Sequence, residues 1–335
     1  MEKWLRMYST KLRTKGGTLF IILGIIILLL PLLLKSPYQM HLIIMLCINI
    51  VLGMSFAMLF STGLITIGAA AFWAIGAYAS AVLVMNLNLS FWLALSLASI
   101  ITGMIAFMLG SIIVRAPGVA FVVQTMVINM IVVQALGQME FLGGWGGILD
   151  IPRPNPIGSI KFVSKTHYYY LILFLLLLTV VVFYALYSSR IGRAWRSIRL
   201  NPRLAQTLGI NLFRYRLLAF IIASMSAGLV GSFYAHYFGT IEPNTFSVFK
   251  SIYIQIYGIL GGLNFYLMGP TIGALMMTLV PEFLRVGKEI EPILTGGILI
   301  LLVIFLPGGI LSLPERMGSL ATAFLSRIKR KESLH

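Results

Sequence analysis

The residues that could carry chemistry in this chain are few, and none of them forms a catalytic pattern. The sequence has no HExxH, no GxSxG and no cluster of carboxylates, so hydrolytic and metalloenzyme chemistry has no candidate residues. Its only Gly-Lys pair, Gly287-Lys288, is followed by Glu289, which excludes a Walker-type phosphate-binding loop. The single cysteine, Cys47, lies in an apolar run and predicts packing. We therefore expect no catalysis and no bound cofactor or metal.

Uncharged polar residues and glycines are the remaining candidates for a functional site. Gly63 and Gly68 flank the apolar stretch LITI, and Gly258, Gly261 and Gly262 interrupt a second apolar segment. Such interruptions in two halves of a transporter are typical of broken helices that line a substrate pathway, although tight helix packing explains single glycines equally well. The predicted pathway residues are Asn49, Thr62, Gly63, Thr66, Gly68, Phe72, Asn129, Tyr253, Gln255 and Tyr257.

The middle of every predicted membrane span lacks Asp, Glu, Lys and Arg. Ion-coupled transporters usually place an ionisable residue there, so proton coupling is not expected. Sodium coordination by carbonyl and hydroxyl oxygens stays open. His41 and His236 lie near the ends of spans, where we expect them to be interfacial.

One segment, residues 188–216, combines seven arginines with no acidic residue and lies between two apolar runs. On a helical wheel Arg193, Arg196, Arg199 and Arg203 share one side, and Trp195 lies on the opposite, apolar side. The pattern predicts a helix along the membrane surface with Trp195 at the interface.

A second, shorter helix should follow in the same segment. Asn201 is a good N-cap, Pro202 fits the first helical position, and Gly209 stands where a residue of positive φ ends many helices. These signals predict a helix over 202–208. A helix of about seven residues is not stable alone in water. It must pack against a partner protein or against the chain's own helices.

The composition explains why these elements belong in a bilayer. The chain has 335 residues, of which 59% are hydrophobic and 10% charged. A soluble domain has roughly 25% charged residues, and a spanning helix needs about 20 apolar ones. Hydropathy predicts an all-α, polytopic membrane protein of about ten helices near 18–34, 40–60, 63–85, 91–113, 118–136, 167–187, 217–238, 249–263, 269–285 and 293–311.

The distribution of basic residues predicts the orientation of these spans. With both termini cytoplasmic, 18 Lys and Arg residues lie inside and 7 outside, with Lys250 among those assigned outside. The positive-inside rule favours this arrangement. The chain then divides into a basic cytoplasmic N-terminus (1–17), a transmembrane domain (18–311) with the cytoplasmic loop 188–216, and a basic cytoplasmic tail (312–335). The clustering of charge in these loops argues against nucleic-acid binding and for contact with anionic lipid.

The segment from Gly192 to Phe246, together with TGLITIGAAAFWAIGAYASA, RAPGVAFVVQTM and GILGGLNFYLMGPTIGALMM, strongly resembles the inner-membrane permeases of branched-chain amino-acid ABC importers, the LivM-like type. The resemblance implies that 202–208 is a coupling helix that docks on an ATPase subunit. The implied docking residues are Arg193, Arg196, Asn201, Pro202, Ala205, Gln206 and Gly209. The implied partners are a sister permease, two ATPase subunits that bind ATP and Mg²⁺, and a periplasmic or lipid-anchored binding protein, all at the bacterial inner membrane.

Three positions depart from the pattern of this family. Ala69 replaces a frequent His, Tyr253 a frequent Glu, and Gln206 a frequent Glu of the docking helix. The first two changes remove polar groups from the expected pathway. A branched-chain amino acid is therefore the default solute, while urea, an amide or an aromatic acid stays open. A stand-alone secondary transporter or facilitator is the alternative of another class, and a membrane enzyme has no supporting residues.

Overall fold

The computed structural model describes residues 31, 36–116, 118–156, 162, 164–263, 265–283, 296–297 and 309–312. Within these residues the chain is all-α, and the only β-type pairing is an isolated bridge between Ile148 and Ile241. The predictions for the N-terminus 1–17, the first span 18–34, most of the tenth span 293–311 and the tail 312–335 lie outside the described residues.

Ten helices have bounds within the described residues, and each predicted span from 40 to 285 corresponds to one of them. We number them α1 Pro37–Phe60, α2 Ala69–Met85, α3 Phe91–Ile113, α4 Gly118–Gln138, α5 Lys165–Ser188, α6 Arg190–Leu200, α7 Pro202–Thr207, α8 Leu212–Phe238, α9 Val248–Gly261 and α10 Met268–Phe283. The end of the bundle that carries α6 and α7 is called the arginine-rich end below. The end that carries residues 139–156 and 239–242 is called the opposite end.

Not all of these helices are long enough to cross a bilayer. Helices α1, α3, α4, α5 and α8 have the length and hydropathy of membrane spans. Helix α2 has 17 residues and α9 has 14. At 1.5 Å per residue, α9 is about 21 Å long, which is shorter than a hydrocarbon core of about 30 Å. The segment predicted over 249–263 is therefore a helix that is too short to cross the membrane by itself, and the count of ten spans is not confirmed.

The core of the bundle forms around α1, α2 and α8. Gly76 of α2 lies against the backbone of Gly228, and Gly231 of α8 lies against the carbonyl of Trp73, so a β-carbon at either glycine would strike main chain. Small residues allow two membrane helices to approach this closely. By contrast, only 22% of the apolar window of α4 is buried inside the chain, so α4 presents most of its surface to lipid or to a partner.

Helices α9 and α10 form a second tight pair at a break in the chain. Gly269 and Gly273 of α10 are spaced as a GxxxG pair and lie against the carbonyls of Gly262 and Tyr257. Gly262 ends α9 with a φ of +113°, a conformation that favours glycine. The glycine-interrupted segment predicted here is therefore a true interruption between two helices.

Candidate functional site

The first break in the helical bundle is the non-helical stretch 61–68, between α1 and α2. Its backbone is held by two threonines rather than by helical bonds. Thr66 Oγ1 accepts the N–H of Gly68 at 3.1 Å, and Thr125 Oγ1 of α4 accepts the N–H of Ile67 at 3.1 Å. The α2 helix thus starts inside the bundle, as the glycine pattern indicated, and not at residue 63.

A second break leads from the opposite end into the bundle. After α8 ends at Gly239, the chain descends through the 3₁₀ turn Pro243–Phe246 before α9 begins. Phe246 is fully buried. This descent is not among the features predicted from the sequence, although Pro243 and the polar residues around it are a signal for non-helical chain. Non-helical backbone at membrane depth is tolerated where protein buries it or where it lines a cavity.

A buried hydrogen-bonded group, the central cluster, joins the two breaks. Asn129 Nδ2 donates to the carbonyl of Phe246 at 2.9 Å, and Ser251 Oγ donates to Asn129 Oδ1 at 2.6 Å. The N–H of Ala70, in the first turn of α2, donates to Ser251 Oγ at 2.9 Å. The central cluster therefore ties the starts of α2 and α9 to the middle of α4.

The other predicted pathway residues separate into buried and exposed groups. Asn49 is 6% exposed and donates to Thr278 Oγ1 at 3.2 Å, and Phe72 and Tyr257 are also buried. Gln255 is half-buried, whereas Tyr253 is 40% exposed on α9. Of these five side chains, Tyr253 alone is freely accessible in the single chain.

Thr62 and Gly63 belong to the turn that ends α1. Thr62 is fully buried and its hydroxyl donates to the carbonyl of Leu59 at 2.7 Å. Gly63 has a φ of +79° and its α-carbon faces the backbone of Arg199. These two residues shape the break and meet the arginine-rich segment.

Residues 188–216 fold as the sequence predicts at the level of helices. Asn201 Oδ1 accepts the N–H of Leu204 at 3.1 Å, and Pro202 is the first residue of α7. Gly209 follows the helix with a φ of +80° and donates to the carbonyl of Gln206 at 2.9 Å. The predicted short, capped helix is confirmed, with six residues in place of seven.

The two sides of α7 differ sharply in burial. Ala205 is 1% exposed and packs against the chain's own helices. Leu200, Leu204 and Leu208 are 86%, 58% and 71% exposed, and Gln206 is exposed as well. The helix therefore rests on the bundle through Ala205. Leu204 on α7, Leu200 at the end of α6 and Leu208 directly after α7 form an exposed apolar row.

The predicted surface position of α6 needs correction. Trp195 is fully buried, with Nε1 donating to the carbonyl of Tyr215 at 2.9 Å, and does not lie at the lipid interface. Arg193 is exposed, but Arg196 donates to the carbonyl of Tyr187 at 3.0 Å. Apolar periodicity showed which side was apolar and could not show that protein rather than lipid covers it.

Arg199 is not part of a solvent-exposed arginine face either. Its Nη1 donates to the carbonyl of Leu263 at 3.4 Å and to the hydroxyl of Tyr266 at 3.3 Å. Its guanidinium carbon lies 4.3 Å from the centre of the Phe60 ring. Arg199 thus joins α6 to the end of α1 and to the loop between α9 and α10.

A polar cavity of about 620 Å³ lies at the opposite end of the bundle. Its lining includes His41, Arg153, Lys165, Tyr168 and His236. His236 is 1% exposed, so the interfacial position predicted for it is wrong.

The two histidines of this cavity are held by hydrogen bonds. One ring nitrogen of His236 lies 2.7 Å from the carbonyl of Pro152 and the other 3.0 Å from Ser80 Oγ. His41 is half-buried beside Tyr237, whose hydroxyl lies 2.7 Å from Nδ1. No group of three His, Cys, Asp or Glu side chains in the described part of the chain could hold a metal ion.

Several known proteins are similar in sequence to this chain. Residues 39–306 match the family described as branched-chain amino acid transport system, permease component. The high-affinity branched-chain amino acid transport system permease proteins LivM of Salmonella typhimurium and Escherichia coli are 27% and 28% identical, over 82% of this chain and 68% of theirs. LivH of Escherichia coli, a permease protein of the same description, is 29% identical over 38% of this chain and 41% of its own. No solved structure matches. The chain therefore belongs to the family of permease components of branched-chain amino acid transport systems.

Proposed function

We propose that the chain is the permease subunit of an ATP-driven importer in the bacterial inner membrane. It forms half of the pathway for a branched-chain or other hydrophobic amino acid. The other half comes from a sister permease. The similarity of this chain to both LivM and LivH supports a pair of related permeases. ATP and Mg²⁺ are bound by two ATPase subunits, and a binding protein delivers the solute. The chain itself catalyses no reaction.

The observation that carries this proposal is the apolar row on α7. Three exposed leucines on and beside a six-residue helix leave apolar surface in water, which is unfavourable by about 25 cal/mol for each Å². A helix this short gains its stability from what it packs against. Its buried side is already covered by the bundle, so the row of leucines is available to an ATPase subunit. Gln206 and Arg193, exposed nearby, offer polar contacts around it.

The contacts of Arg199 connect this docking surface to the breaks in the bundle. A displacement of α6 and α7 by the ATPases would move Arg199 with them. The guanidinium touches Phe60, immediately before the first break, and the loop that follows α9. The central cluster lies at the start of α2, just after the first break, and at the start of α9, opposite the end that the loop follows. A push at the arginine-rich end can therefore change how the two broken segments sit against α4.

The cavity at the opposite end has the composition expected of a surface that meets the binding protein. Arg153 and Lys165 place positive charge at its rim, beside the aromatic side chains of Tyr168 and Tyr237. Charge and aromatic surface together suit a transient, polar protein contact. In the predicted orientation, this end faces the periplasm.

Purification and transport assays test the proposal against its rivals. We expect purification from native membranes in mild detergent to recover two ATPases, a second permease and a binding protein. Liposomes with this complex should take up leucine only when ATP is enclosed with the ATPases. Recovery of the chain alone, active without ATP, would favour a facilitator. Uptake of urea, an amide or an aromatic acid in preference to leucine would change the solute and keep the importer.

A further inference from the structure

Lys250 lies deep in the bundle, in the first turn of α9, and not in an outer loop as the charge pattern suggested. Its neighbour Ser251 is bonded to Asn129, which lies nine residues, or about 14 Å, from the end of α4. Trp73, beside Lys250, lies twelve residues, or about 18 Å, from the end of α2. A hydrocarbon core is about 30 Å thick. The backbone of Lys250 therefore lies at about the middle of the membrane.

Lys250 contacts an aromatic ring and forms no ion pair with any carboxylate of the described residues. Its ammonium nitrogen lies 5.8 Å from the centre of the Trp73 ring, a cation–π contact. Trp73 is 1% exposed and its indole Nε1–H is enclosed by the chain, so this N–H is not open to a solute. The ammonium group is thus a positive charge at mid-membrane depth, held against the face of an aromatic ring.

A charged lysine at this depth costs free energy unless an anion lies beside it. Ionisable residues inside the membrane usually mark a substrate or ion pathway. The α9 helix leaves a route to it. Lys250 itself is partly exposed in the single chain, and Phe249 and Tyr253, on the adjacent side of α9, are 74% and 40% exposed, so that side is not covered by the described chain. An acceptor from outside the chain can therefore approach the ammonium group.

We propose that Lys250, held against the ring of Trp73, binds the carboxylate of the solute at the middle of the pathway. The inference rests on the proposed function, because it supposes that a solute passes this surface. It narrows the class of solute to those with a carboxylate, such as amino acids or aromatic acids. Urea and simple amides lack the anionic group that the site selects.

Two probes of equal shape test the site directly. Binding of 4-methylpentanoate and of its neutral amide, 4-methylpentanamide, to the purified permease–ATPase complex, freed of the binding protein, is followed by saturation-transfer difference NMR. We expect the wild type to prefer the carboxylate by about tenfold or more, as a charge-assisted hydrogen bond allows. Lys250→Met should remove the preference, and Lys250→Arg should keep it. Arg190→Met, exposed at the first position of α6, is the matched control and should change nothing.

The outcomes separate the site from the transport cycle. A wild type without preference for the carboxylate, or Lys250→Met with an unchanged preference, overturns the carboxylate site. ATP-dependent uptake by the same wild-type preparation tests the importer separately. If that uptake is absent while Lys250→Met still abolishes the preference, the importer is wrong and the site stands. Should Lys250→Met aggregate on size-exclusion chromatography, Lys250→Gln serves in its place, because it removes the charge and keeps a polar side chain.

Discussion

Replacing Arg199 by alanine should separate ATP hydrolysis from transport. The change removes a cation–π contact at 4.3 Å, worth about 1 kcal/mol, and two long hydrogen bonds from a charged donor, worth about 1 kcal/mol each. The lost contact energy is about 3 kcal/mol, which corresponds to roughly a hundredfold change in an equilibrium between two conformations. Because neighbouring contacts are not additive, we take a hundredfold change as the upper bound.

The assay compares uptake with hydrolysis in the same liposomes. Arg199→Ala should retain the ATPase activity that the loaded binding protein stimulates, and the number of solutes moved per ATP should fall at least about tenfold. Arg190→Ala, exposed at the first position of the same helix, removes the same charge and should leave that ratio unchanged. Equal ratios for the two variants would refute the role of Arg199. Loss of the assembled complex in Arg199→Ala would show that its contacts serve stability instead.

Three further substitutions test the central cluster, the coupling helix and the helix packing. Asn129→Leu removes two buried hydrogen bonds and should destabilise the protein by about 2–4 kcal/mol. The loss should be seen as a lower unfolding midpoint in detergent, whereas Gln134→Leu, exposed on the same helix, should leave the midpoint unchanged. Gly209→Pro is incompatible with a φ of +80° and should abolish uptake while the protein stays inserted and ATP is still hydrolysed; normal uptake would exclude docking through α7. Gly231→Val should prevent α2 and α8 from packing and abolish monodisperse protein, whereas Gly146→Val, with open space around it, should be tolerated.

The sequence predicted most of the helices because hydropathy and capping are local properties. Every predicted span between residues 40 and 285 is a helix, and Asn201, Pro202 and Gly209 placed the short α7 within one residue of its observed end. Family membership was also readable from the order of residues, and the family match over 39–306 confirms it. The docking and pathway roles stay predictions.

Length and depth were harder to read, because a hydropathy window does not distinguish a helix that crosses the membrane from one that begins in its middle. The 14 residues of α9 are as apolar as a span. Their starting point is set by Asn129 and Ser251, which are 122 positions apart in the sequence. The same long-range pairing moved Lys250 from a supposed outer loop to the interior.

The sequence by itself determined the solvent, the helices and their caps, because each depends on residues within a few turns of one another. The tertiary structure alone decided which polar groups share an environment. It buried Trp195 and His236 and gave Arg199 its partners on α1 and beyond α9. It also placed Lys250 next to Trp73, where no carboxylate of the described residues forms an ion pair with it. These outcomes depend on how helices distant in sequence pack against one another. Periodicity along one helix shows which side is apolar, but it does not show whether lipid or protein covers that side.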